Sequence, residues 1–318
     1  MVGEMERVVE VEVPAVAVHE RAYAMVDMAP TTFTRDAMSG AAMVLERQDN
    51  PIRLNLFAIA IRIYLDHLMD ALAPRDQVEA SRWFQPEEDA EGPTRRQRLA
   101  YGLHGGLTPA EVLELTNYDT EELLQEVTAA YRKLNKHVHG REKTIVHEVA
   151  EQDSVVRATL DALTALHETT RECRREIVDE IADALDSQAI EQFVTRTVEE
   201  LDIMATHHTV DWVGVDERRI VKIDARLIEY EVVGWVGVTL LYGSGGDRRR
   251  GEGAEMNEEF PYEVRFQVPV EHPHDLSGAE ITSAIDTSAW YGDDEDEDDE
   301  PGNDKLVGDV DPDFDPGF

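Results

Sequence analysis

Near residue 207 the spacing of apolar residues changes period, and no single-class fold accommodates both halves of the chain. Upstream, in "NPIRLNLFAIAIRIYLDHLMDAL", residues Leu54, Phe57, Ile61, Leu65, Leu68 and Leu72 recur every three or four positions, which is one face of an α-helix. Downstream, "VDWVGVD", "RIVKIDARLIEYE", "VVGWVGVTLLYG" and "FPYEVRFQVPV" alternate in character and read as four antiparallel strands. Helices followed by strands predict the α+β class. The expected order is a helical N-terminal domain with a long helical hairpin, then a small antiparallel β domain and a disordered acidic tail.

Local signals divide the chain further. Residues 1–50 hold a strand, "RVVEVEVPAVAV", with Pro14 favouring a sheet edge, and a helical segment. Residues 51–150 form the helical domain. In it "TRRQRLAYGLHGG" is a short helix stopped by Gly105 and Gly106, and "TPAEVLELT" has Thr108 as N-cap, Pro109 behind it and Glu111 placed for a capping box. "DTEELLQEVTAAYRKLNKHVHG" carries acids early, cations late and Gly140 just past its end. In 151–206 a long stripe, Val156, Leu160, Leu163, Leu166, Cys173, Ile177, Ile181 and Leu185, precedes a second helix bearing Ile190, Phe193, Val194 and Leu201. This pair reads as a hairpin or a coiled-coil-like segment through which a homodimer would form. Residues 207–275 are the β domain, and 276–318 the disordered tail.

Charge narrows the partners. The 318 residues carry a net charge of −38, of which about −12 lies in residues 291–318, and the cations are five lysines against twenty-five arginines. Such repulsion disfavours a compact state unless salt screens it. The pattern fits a salt-in halophile, where the Debye length falls to roughly 3 Å; the alternative is an ordinary acidic protein with an acidic tail. In molar salt, phosphate binding by counterion release fades, so nucleic acid would be held by small, dense cationic knots. A single cysteine, Cys173, excludes an internal disulfide, fits a reducing compartment, and reads as a small buried hydrophobe rather than a reactive thiol. The opening "MVGEMERVVEVEVP" lacks the pattern of a secretory signal, and no apolar run is long enough for a membrane span. A cytoplasmic protein is expected.

Several nuclease chemistries can be tested by spacing. The residues two places before the lysines are Tyr131, Leu134, Arg141, Ile220 and Asn303, so there is neither an acid-x-Lys pair of the restriction type nor a His-x-Lys pair. Walker and zinc spacings are also missing, and no cofactor is expected. The Arg-x(4–6)-His spacing of HEPN-type ribonucleases, which are helical and metal-independent, does occur. In that chemistry histidine moves the proton of the 2′-hydroxyl or the leaving oxygen, and arginine stabilises charge on phosphate. Six pairs qualify: Arg62/His67, Arg98/His104, Arg132 with His137 and with His139, Arg141/His147 and Arg265/His272. The excess over chance is modest, so context must rank them. Arg132, His137 and His139 lie where a helix ends, and a seven-residue step puts Arg132 and His139 on one face.

That stretch, "AAYRKLNKHVHGREK", holds three of the five lysines. Lys133, Lys136 and Arg141 would grip phosphate around the three candidate catalytic residues. The alternatives are complementarity to the helix dipole and a metal held by His137 and His139. "TRRQR" is a second knot, at a helix start where the dipole disfavours it; Arg95, Arg96 and Arg98 either contact phosphate or pair with the preceding "EEDAE". In "GDRRRGEG", Arg248, Arg249 and Arg250 sit on a glycine-rich loop that suits an anion nest or salt bridges to nearby glutamates. Trp83, Trp212, Trp235 and Trp290 could stack on bases, but Trp212 and Trp235 alternate with apolar strand residues, which favours core packing.

Taken together, "TRRQRLAYGLHGGL", "LNKHVHGRE" and "LLYGSGGDRRRGEGAEMNEEFPYEVRFQVPV" resemble the family called predicted pPIWI-associating nuclease, here in a halophilic archaeal version. The resemblance spans roughly residues 51 to 271. It implies a role in prokaryotic defence, a nucleic-acid partner (RNA favoured over DNA) and a PIWI-type defence protein as a further partner. Two functions follow for testing: a metal-independent nuclease, or a non-catalytic nucleic-acid-binding or scaffold component of the same system.

Overall fold

Short-range signals set where several helices begin. The computed structural model describes residues 16–291 apart from positions 89, 196–198 and 252. Helix α1 spans Val18–Ala24, α2 Thr32–Glu46, α3 Arg53–Leu72, α4 Arg75–Ala80, α5 Arg95–His104, α6 Pro109–Thr116 and α7 Thr120–Val138. The side chains of Thr31, Thr94 and Thr108 cap α2, α5 and α6 through the backbone N–H three residues on, satisfying donors that a helix start leaves open. Glu111 returns the contact to Thr108 N at 2.8 Å, completing the expected capping box. Then follow α8 Val149–Glu180, α9 Ala182–Thr195 and α10 Glu199–Met204, strands β1 His207–Ile223 and β2 Leu227–Tyr242, the one-turn α11 Gly245–Arg249, β3 Ala254–Pro269, β4 Glu280–Ile285 and a last turn α12 Ser288–Tyr291. The class is α+β.

Two hydrophobic cores share one beam. Helices α1, α2, α3, α5 and α7 bury Phe57, Ile61, Leu65, Leu124, Leu134 and their neighbours against Val156, Leu160, Leu163 and Leu166 of α8. Farther along the same helix, Cys173 and Ile177 enter a second core with Leu185 and Phe193 of α9 and the inner face of the sheet. At 32 residues α8 is about 48 Å long, enough to serve both. Between the two halves His167 is fully buried and bonded to the Tyr64 hydroxyl.

The helix pair in 151–206 is therefore not a hairpin. Only Ile181 separates α8 from α9, and one residue cannot reverse the chain where helix–helix turns need two to five. Helix α9 packs instead on β1 and β2. The apolar stripe of α8 is taken up by the chain's own cores, while Ile190 and Val194 of α9 stay exposed.

The sheet is an antiparallel meander in the order β1-β2-β3-β4. "RIVKIDARLIEYE" is not one strand, because Asp224 turns it: its carboxylate accepts from the N–H groups of Arg226 and Leu227, both at 2.8 Å, an Asx-type turn. The fourth strand lies inside the segment assigned to the tail, with Ile285 opposite Tyr262. Its isoleucines at 281 and 285 outweighed the polar residues around them. The acidic run beyond Tyr291, and the N-terminal strand reading up to residue 15, lie outside the described residues; Val18 already opens α1.

Gly105 and Gly106 do more than stop a helix. A Cβ on Gly106 would stand 2.4 Å from the Ala225 carbonyl oxygen, and one on Gly105, whose φ is +57°, 2.5 Å from Ile223. Gly106 N–H donates to Asp224 O at 2.9 Å. The β1–β2 turn thus rests on bare backbone, and the "YGLHGG" string is the joint between the helical and sheet regions.

A candidate nucleic-acid interface

Helix α7 buries Leu124, Val127, Tyr131 and Leu134 and turns its other face to solvent. On that outer face acids lead and cations follow. Arg132, Lys133 and Lys136 are exposed, and beyond the helix so are His139, Arg141 and Lys143. None of these five cations makes an ion pair with a described residue, although the chain has sixty-eight acids. Local spacing explains why. The residues three and four before Arg132 are Ala129 and Thr128, whereas Lys136 has Lys133 and Arg132 at those positions. Like charges at these steps cost a few tenths of a kcal/mol each, ~0.2–0.5.

The chain folds back immediately after the helix. Thr144 Oγ1 donates to His139 O at 2.8 Å, and Arg141 N–H to the same oxygen at 2.8 Å. This turn brings Thr144 O to 3.0 Å from His137 Nδ1. A carbonyl only accepts, so Nδ1 carries the proton of the neutral ring and Nε2 keeps its lone pair. Asn55 at the start of α3 donates to His137 O at 2.7 Å and fixes the helix end from the other side. Neither Asn55 nor Thr144 had a sequence signal: one is 82 residues away, and the other acts through its backbone.

The second knot has a different fate. Arg95 lies 3.2 Å from Asp66, Arg98 2.7 Å from Asp70, and Arg96 pairs with Glu121. The partners come from α3 and α7, not from the "EEDAE" that precedes the helix. Arg98 is buried and also donates to Ala73 O at 3.0 Å. Arg95 stacks its guanidinium 4.0 Å over the Tyr131 ring, which places it beside the α7 cations. Burial raises the Tyr131 pKa, and the Arg95 charge opposes that rise.

The third knot is not an open nest. Residues 245–249 form the turn of α11, and Asp247 Oδ2 accepts from Ser244 N at 2.9 Å and from Ser244 Oγ at 2.6 Å. Arg250 pairs with Asp247 and Arg249 is exposed; the Arg248 side chain lies outside what is described. A local carboxylate thus occupies the place an anion would take. Among the described residues no three His, Cys, Asp or Glu side chains are grouped to hold a metal ion, and no helix is long and apolar enough to cross a membrane.

Fold and site together define an α+β protein in which, among the described residues, a cationic knot without ion-pair partners lies at a histidine-bearing helix end. Two family models match it, both described as predicted pPIWI-associating nuclease, one over residues 27–166 and the other over 170–291. The chain belongs to the predicted pPIWI-associating nucleases. The seam between the two models falls inside α8, where Leu166 closes the first core and Cys173 opens the second. No curated protein and no solved structure matches the chain.

Proposed function

We propose that this protein is a defence-associated, metal-independent nuclease that holds an RNA backbone along the end of α7. The observation that carries the reading is a set of crowded cations, Arg132, Lys133, Lys136, Arg141 and Lys143, that form no ion pair among the described residues of a chain with sixty-eight acids. A phosphodiester chain would relieve their mutual repulsion. His137 presents a bare Nε2 from a fixed ring and is suited to take the 2′-hydroxyl proton. His139, exposed at the helix cap, would return a proton to the leaving 5′-oxygen, giving a 2′,3′-cyclic phosphate and a free 5′-hydroxyl. Arg132 would stabilise charge on the phosphate. Arg95, Arg96 and Arg98 are each held by an acid of their own, and Arg95 also lies over the Tyr131 ring. The partner protein is of the PIWI type, and the working medium is molar salt in the cytoplasm.

The test uses the full chain in molar KCl with end-labelled RNA and DNA, with and without chelator. Cleavage of RNA that survives chelation and is lost in His137→Ala/His139→Ala supports the enzyme. RNA binding without cleavage in the wild type would instead make it a non-catalytic component of the same system. Chelator-sensitive cutting indifferent to the two histidines sinks the proposed site.

A further inference from the structure

The outer face of the sheet carries a feature that the nuclease reading does not use. Trp212 on β1 and Trp235 on β2 are 44% and 43% exposed, although the sequence placed both in the core. They stand diagonally: Trp212 pairs with Gly237, and Gly214 with Trp235. The Trp212 indole lies across Gly237, so that a Cβ there would fall 2.1 Å from its Nε1. A Cβ on Gly214 would likewise meet that ring at 3.1 Å, so the indole lies over both glycines, and at its edge opens a hollow of about 580 Å³ whose lining includes Asp211, Trp212, Trp235, Gly237, Asn257 and Glu259.

The polar part of this hollow has one sign. Asp211 is held in place by the Thr239 hydroxyl, which donates to its Oδ2 at 2.7 Å. Glu259 sits opposite Gly237 on β3. Neither carboxylate pairs with an arginine or lysine among the described residues. The arginines on this face are engaged elsewhere: Arg219 with Glu231, and Arg265 with Glu229, Glu231 and Glu263. Aromatic faces beside unneutralised carboxylates repel phosphate and attract cations. A guanidinium satisfies both elements, stacking on indole while forking its N–H groups to a carboxylate. An ammonium is a point charge and meets only part of the demand. Short-range contacts of this kind persist where salt screens diffuse attraction.

We infer that the Trp212–Trp235 hollow is a docking site for an arginine side chain presented by a partner protein. The chain then has two surfaces of opposite sign, the helix end for nucleic acid and the sheet face for a basic protein segment. The second inference stands whether or not the first does.

The experiment follows tryptophan emission of the full chain in molar KCl during titration with a capped tetra-arginine peptide. Tetra-lysine, tetra-glutamate and a single-stranded RNA oligonucleotide serve as comparisons. A saturable change with tetra-arginine is expected, about fivefold weaker with tetra-lysine and missing with tetra-glutamate. Trp235→Ala and Glu259→Gln should each weaken it about fivefold or more while leaving far-ultraviolet circular dichroism unchanged. Because Trp212 covers a glycine and its loss risks the fold, these two variants decide the matter. No saturable change up to millimolar peptide, equal binding of tetra-glutamate, or full affinity in both variants overturns the inference. So does RNA that quenches the tryptophans where tetra-arginine does not, which would make the face a base-stacking platform.

Discussion

The two arginine-rich knots of the helical region look alike in sequence and differ in what they can offer a ligand. "TRRQR" opens α5 and finds Asp66, Asp70 and Glu121 waiting on α3 and α7. The cations at the end of α7 form no ion pair with a described residue. Cation density along a chain thus says little about available charge. What matters is whether acids arrive at neighbouring positions on the helix or from packed elements.

The contrast can be broken or sharpened by experiment. The largest effect is expected for Arg132→Ala/Lys133→Ala/Lys136→Ala. Nucleic-acid affinity should drop at least about tenfold, and the slope of log K against log salt should become shallower by about 2, at roughly 0.7 per lost single-strand contact. Fluorescence anisotropy across a KCl series measures both, and an unchanged slope would remove α7 from the interface. Thermal stability should hold or rise slightly, since like charges are removed.

At the opposite knot the ordering reverses. Arg98→Ala should cost about 2 kcal/mol of unfolding free energy by denaturant titration, because the buried Ala73 carbonyl and Asp70 lose their donor. RNA affinity should stay at the wild-type level. A similar loss, about 1–3 kcal/mol, is expected for Gly106→Ala, whose new methyl meets the Ala225 carbonyl.

Histidines separate the two helix ends as well. His104 closes α5 in full burial, which pushes its pKa down to about 4, and burial takes His167 to about 3. Both are neutral in the fold near pH 5, whereas their unfolded counterparts, near 6.5, bind protons. The unfolded state therefore gains protons first as pH falls, and stability should decline from pH 6.5 towards 4 by up to about 1.4 kcal/mol per pH unit for each ring. His104→Asn should flatten that slope relative to wild type; equal slopes would mean that the ring is not buried neutral. The smallest effect is reserved for Arg96→Ala, whose half-exposed pair with Glu121 should be worth under about 1 kcal/mol and less as salt rises.

How far the sequence could be read depends on the range of the interaction. The cap at Thr108, the helix stop before Gly105 and the change to strand spacing near 207 were legible, because each is decided within a few residues. The tryptophans were misplaced for a specific reason. "VVGWVGVTLL" is apolar on both faces and carries no parity signal, and a bulge between Val210 and Trp212 resets the alternation of β1. The hairpin failed likewise, since the stripes of α8 and α9 show only that something apolar covers them.

By itself the sequence determined an α+β chain, its main helix starts, an acidic surface and a cationic helix end. Only the tertiary structure decided that the α5 arginines are neutralised while the α7 cations are not, that His137 is oriented by Thr144, and that two tryptophans face outward. The physical reason is common to all three. Charge compensation, ring orientation and strand facing depend on groups brought from distant parts of the chain, and neighbouring residues carry no record of them.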